Sequence, residues 1–86
     1  MALVKINPVS ARVRWDRSHN RPATIRIGER QLTVTTVQAV RDEVAAFRPE
    51  LGPRVTYLLG TDAGDASLVF DARRRRWYVE ALDQAA

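Results

Sequence analysis

From Val9 to Asp16 the chain alternates strictly. Val9, Ala11, Val13 and Trp15 fall on one side, and Ser10, Arg12, Arg14 and Asp16 on the other. Successive strand side chains point to opposite faces, so a period of two predicts a half-buried strand with one wet face. Arg17-Ser18-His19-Asn20-Arg21-Pro22 is a polar connector ending in a residue that cannot donate to a ladder. Alternation resumes in Thr24-Ile25-Arg26-Ile27 and again in Gln31-Leu32-Thr33-Val34-Thr35, on either side of Gly28-Glu29-Arg30. Glycine supplies the positive φ of a tight hairpin turn, so these two segments are expected to pair.

The period then changes. Val37, Val40, Val44 and Phe47 recur at helical spacing, with Gln38, Arg41 and Asp42 opposite them. Thr35 and Gln38 fit a capping box, which predicts a helix starting near Thr36 and stopped by Pro49 and Gly52-Pro53. A helix of about ten residues does not stand alone in water, so it is expected to lie on the sheet. A meander follows in three segments, Arg54–Thr61, Ser67–Phe70 and Arg76–Leu82. The turn-rich Gly60–Asp65 and the run Arg73 to Arg76 separate them. The last segment is apolar on both faces, the mark of a strand covered on both sides. The expected order is β-β-β-α-β-β-β, an α+β domain. It would be a small curved antiparallel sheet or partly open barrel with one short covering helix. The core would span about residues 9–82, with 1–7 and 83–86 as fraying ends.

Composition narrows the function classes. A chain of 86 residues makes one small domain, with limited room for a deep catalytic pocket beside a core. A binding or interaction module is therefore favoured over an enzyme. The absence of cysteine removes disulfides, thiolate-bound zinc and thiol chemistry, and suits a reducing compartment. Met1 to Pro8 is too poor in apolar residues for a signal-peptide core, and no apolar run approaches membrane-spanning length. A cytoplasmic protein without membrane contact is expected. Charge is uneven: residues 1–30 carry Lys5 and six arginines against Asp16 and Glu29, a balance of +5, whereas residues 31–86 balance at −1. Such asymmetry points to a polyanionic partner, although thirteen arginines against one lysine also fit a GC-rich genome, in which arginine fills ordinary surface positions.

Few residues look chemical. His19 lies beside Ser18 and near Asp16, but neighbours on one loop do not converge as a catalytic triad must. Asp62 and Asp65 lack the acidic density and closing glutamate of a calcium loop, and aspartate is an ordinary turn residue. The glycines are scattered, with no phosphate loop among them. No catalytic residue, cofactor, metal or small-molecule substrate is expected. Arg73, Arg74, Arg75 and Arg76 can be read two ways. They are a solvated hairpin tip that discourages aggregation, or a set of guanidinium forks that grips phosphates. Arg12, Arg14 and Arg26 would share one wet face if their strands pair, with Thr24 and Thr33 nearby. A basic sheet face of this kind suits sequence-independent contact with a nucleic-acid backbone. Trp15 and Trp77 alternate with the inward set, which leaves Tyr78 as the aromatic for stacking beside the arginine tip.

Arg21-Pro22, Ile25-Arg26-Ile27-Gly28-Glu29-Arg30, Val34, Val37, Arg54-Val55-Thr56-Tyr57-Leu58-Leu59, Leu68-Val69-Phe70-Asp71 and Trp77-Tyr78-Val79 follow one another in this order, most of them at core or turn positions that many small β-domains share. That order resembles a small, mainly actinobacterial domain family of unknown function found beside or fused to Y-family translesion DNA polymerases. The resemblance covers about residues 9–83 and implies a DNA-repair setting. Where the family carries tryptophans in its middle segment, this chain has Val40, Val44 and Phe47. The expectation is a non-enzymatic accessory module that contacts nucleic acid, or a protein that handles it, through arginines. The alternative is a protein-interaction or homodimerisation module, motivated by Leu58, Tyr78 and Leu82 lying off the main core face.

Overall fold

The computed structural model describes residues 3–42 and 54–83. Six strands follow in order: β1 (Leu3–Asp16), β2 (Arg21–Ile27), β3 (Arg30–Asp42), β4 (Arg54–Thr61), β5 (Gly64–Asp71) and β6 (Arg76–Asp83). Each pairs antiparallel with its neighbour in sequence, and β6 pairs back onto β1, closing a barrel. The architecture is all-β, which corrects the expected α+β fold in two respects. Among the described residues there is no helix, and the sheet is closed rather than partly open.

The misplaced helix has a specific cause. Residues Thr36 to Asp42 continue strand β3, while 43–53, with Val44 and Phe47, lie outside the described residues. Two register shifts interrupt the β3–β4 ladder, between Val34 and Thr36 and between Val37 and Ala39. Each bulge sets two residues of β3 against one of β4. Val37 therefore opposes Leu59 and Val40 opposes Tyr57, so a spacing of three on β3 meets a spacing of two on β4. Val34, Val37 and Val40 thus imitate a helical period while staying on one side of a strand.

Closure depends on two long strands that each serve both halves of the sheet. The first part of β1 pairs with β6 as far as Ala11–Trp77, and from Arg12 onward β1 pairs with β2. Likewise β3 pairs with β2 through Thr33 and with β4 from Val34. Strands that change partner in this way make the corners of a small barrel. Asp62 pins the second corner, its Oδ1 accepting the Thr33 N–H at 3.0 Å while its own N–H donates to the Thr33 carbonyl at 3.0 Å. Asp65 accepts from Gln38 Nε2 at 2.9 Å. Both turn aspartates are thereby engaged in holding β3 to the β4–β5 hairpin. Gly64 follows that turn with φ +105, and a Cβ there would lie 2.8 Å from the Cβ of Asp83, so the position accepts glycine alone without rearrangement. At the β2–β3 turn Gly28 has φ +60, the positive value expected of a tight hairpin.

Ile25, Leu32, Val34, Leu59, Leu68 and Val79 fill the barrel, with Ala11 beside them. Arg12, Arg14 and Arg26 are exposed on the outer wall. An apolar interior with an arginine-bearing exterior is the reverse of a barrel that faces lipid. No described helix is long and apolar enough to cross a membrane. The ring of strands closes, but among the described residues 3–11 of β1 pair only with β6 and residues 34–42 of β3 only with β4, so each of these segments keeps one side without a ladder partner.

Candidate nucleic-acid interface

The outer wall is set by register. Residues directly opposite one another in a ladder share a face. Arg12 opposes Arg26, which opposes Gln31, and Arg14 opposes Thr24, which opposes Thr33. The three arginines expected on one wet face are therefore together, with both threonines beside them. Ser10 opposes Tyr78, and Asp71 opposes both Arg54 and Arg76. One position beyond the last β1–β6 couple, Ala11–Trp77, come Arg12 on one strand and Arg76 on the other. The sheet-face arginines and the arginine tip thus meet where β1 passes from β6 to β2.

Two clefts record this continuity. One, of about 430 Å³, is lined by Ser10, Arg12, Arg26 and Gly28. The other, of about 560 Å³, takes Lys5 and Ser10 from β1, Arg74 and Arg76 from the tip, and Tyr78 from β6. Ser10 belongs to both. Arg54, Asp71 and Glu80 also line the larger cleft. Arg54 Nη2 lies 3.1 Å from Glu80 Oε2, and Ser67 Oγ donates to the other Glu80 oxygen at 3.3 Å. Beyond that pair, Lys5, Arg74 and Arg76 face one carboxylate, Asp71, so the larger cleft is net positive. The smaller one holds two guanidiniums and no acid among its lining residues. Like charges directly across a ladder repel, so the Arg12–Arg26 couple is an arrangement that an anion between the two would relieve.

The remaining predicted residues are more spread out. Arg73 and Arg75 are exposed at the tip and line neither cleft, and Arg14 stands two residues along β1 from Arg12. Tyr78 does line the larger cleft, but the Arg54 guanidinium already lies 5.9 Å from its ring centroid. Lys5 and Arg54 are not legible as site residues in the sequence. Lys5 reaches the cleft because β1 extends back to Leu3, before the alternating segment that marks the strand.

The arginine tip is one of a matched pair of turns. Asp71 Oδ1 accepts the N–H groups of Arg73 and Arg74 at 3.1 and 3.2 Å. Asp16 Oδ1 accepts those of Ser18 and His19 at 2.9 and 3.2 Å. The flanking couples are Asp71–Arg76 and Asp16–Arg21, and the fourth turn residue has φ +53 in both, Arg75 in one and Asn20 in the other. Asparagine tolerates that conformation far better than arginine does. The same geometry thus carries its cheaper residue in one turn and a strained arginine in the other.

The His19 imidazole Nδ1–H donates to Asp16 Oδ2 at 2.7 Å, and this bond holds the Asp16 carboxyl below its ordinary value. A depressed carboxyl stabilises its turn fully above the unfolded-state value and loses that contribution as pH falls through the folded one. The Ser18 and His19 amide resonances should therefore shift at a midpoint below the usual aspartate range. A midpoint at or above that range would show that the carboxyl is not engaged as described.

No family model matches this chain, and neither a curated protein nor a solved structure matches it.

Proposed function

We propose that this barrel is a non-enzymatic accessory module that binds the phosphate backbone of nucleic acid along the Arg74–Arg76–Ser10–Arg12–Arg26 wall. The supporting observation is that Ser10 lines both clefts, which makes the tip and the sheet-face arginines one surface. Guanidiniums present planar donor forks that match phosphate oxygens, and backbone contacts of that kind carry no sequence information. The reading is therefore of sequence-independent contact. The resemblance to the domains beside translesion polymerases adds a DNA-repair setting, and a cytoplasmic location fits both that setting and a cysteine-free chain. A protein that handles nucleic acid would be met through the same arginines.

The test is a fluorescence-anisotropy titration of labelled DNA and RNA at several salt concentrations. Release of counterions by about four to five phosphate contacts gives a slope of log K against log salt near −4. Absence of binding at low salt would reject the proposal, and so would binding indifferent to salt.

A further inference from the structure

The alternation that turns Trp15 inward places it at the end of the barrel, where it remains 38% exposed. Its neighbours there are aromatic. The Trp15 ring centroid lies 6.2 Å from those of Tyr57 and Trp77, edge-on to the first and tilted to the second. Trp77 in turn lies 5.7 Å from Tyr57 and 4.8 Å from Phe70. The register shift between Arg14 and Trp15 falls at this rim, where bulges commonly re-aim a side chain. A tryptophan braced by two rings has little freedom left to lose on meeting a ligand, yet more than a third of it is open to solvent.

Cations flank this ring on both sides. Trp15 immediately precedes the Asp16–Arg21 couple that opens one matched turn, and Phe70 and Trp77 sit one residue inside the Asp71–Arg76 couple that opens the other. Both turns therefore leave the same end of the barrel as the aromatic cluster. They bring Arg17 and Arg21 from one side and Arg73 to Arg76 from the other, all but Arg21 exposed. An open, braced indole between two guanidinium-bearing tips combines a π-face with phosphate-binding charge. Single-stranded nucleic acid carries the complement, an unpaired base between phosphates, whereas a duplex keeps its base faces stacked.

We infer that this end of the barrel is a base-stacking platform for single-stranded nucleic acid, with one unpaired base on Trp15 and the flanking phosphates on the two tips. The inference rests on the phosphate-binding reading above and narrows it to single strands.

The test compares the wild type with Trp15→Leu and Trp15→Phe, each checked for folding by circular dichroism. The probes are an oligothymidylate of about ten nucleotides, within the range that small barrels cover, inorganic polyphosphate and polyglutamate. Oligothymidylate should quench wild-type tryptophan emission saturably, and polyphosphate should bind without doing so. Trp15→Leu should weaken oligothymidylate binding by about 5- to 100-fold, the range typical of removing one stacking ring, and Trp15→Phe by less. Polyphosphate affinity should not change in either variant. Equal oligothymidylate affinity in all three proteins would overturn the platform while leaving the arginine wall standing. Equal quenching by polyglutamate would overturn it in favour of an acidic peptide. Failure of the wild type to bind any of the polyanions would remove the phosphate-binding reading and the platform with it. Shielding of Trp15 from acrylamide in the free protein, read as no change in quenching between wild type and Trp15→Leu, would also overturn it.

Discussion

Truncating Leu59 to alanine is expected to cost about 3–4 kcal/mol, the middle of the range for a fully buried leucine. Leu59 has no solvent exposure and stands inside the barrel between Val37 of β3 and Ala66 of β5. The loss combines the transfer free energy of the missing methyl groups with the cavity they leave. Leu59 is held in ladders on both sides, by β3 and by β5, so its surroundings have little room to collapse into that cavity, which keeps the cost from falling to the low end. In a domain of this size the midpoint of thermal unfolding should fall by roughly 15–25 °C. Leu58, its neighbour, points to the outer wall opposite Ser67 and is only half-buried. Leu58→Ala should therefore cost much less. Thermal unfolding followed by circular dichroism decides the matter, and equal losses for the two leucines would contradict the described faces of β4.

The second large effect concerns binding. Replacing Arg12, Arg26, Arg74 and Arg76 together by glutamine should flatten the salt dependence by about 3–4 in slope. At about 0.1 M salt the affinity for DNA should fall roughly 100- to 1,000-fold, because each phosphate that the protein no longer neutralises keeps its condensed counterions. All four side chains are exposed on the outer wall, so the melting temperature should hardly move. Removal of Arg12–Arg26 cross-strand repulsion even acts in the stabilising direction. Glutamine keeps a hydrogen-bonding end while removing the charge, so charge is the main variable. Arg54→Gln is the informative contrast. Its guanidinium is already paired with Glu80, so this change should lower stability and leave the salt slope nearly intact. An unaltered slope in the fourfold variant would place the nucleic acid elsewhere on the protein.

These two results probe different layers of information in the chain. The alternation of Val55, Tyr57 and Leu59 is enough to put Leu59 on an inward face. The same logic puts Arg12 and Arg14 on the polar face of β1 and Arg26 on that of β2, because a period of two is a local property of extended backbone, while their meeting depends on the β1–β2 pairing. Each of the six strands has a recognisable segment in the sequence. Strand β3 reads too short because its two bulges turn a spacing of two into one of three, a change produced by pairing with β4 and invisible in β3 alone. The helix expected from Thr36 follows from that spacing.

The site divides in the same way. Arg73 to Arg76 are conspicuous in any reading, but that Arg74 and Arg76 line a cleft with Ser10 depends on β1 closing against β6, the far end of the described chain. The inward assignment of Trp15 follows from alternation alone. Its partial exposure arises because it lies at the rim, and a rim exists only once six strands are arranged in a ring. Tyr78 stands out for stacking from its side of β6, yet the approach of Arg54 from β4 covers part of its ring.

Local sterics and hydrophobic periodicity thus account for the set of strands, their two faces, the turn chemistry of Gly28 and the presence of two arginine groups. These are legible in the linear chain. Tertiary structure alone decides that the sheet closes, that Val34, Val37 and Val40 belong to one bulged strand, and that the arginine groups join across Ser10. It also decides that two matched turns flank an aromatic end. The physical reason is that closure and register are set by pairing between distant strands, whose partners no local periodicity names.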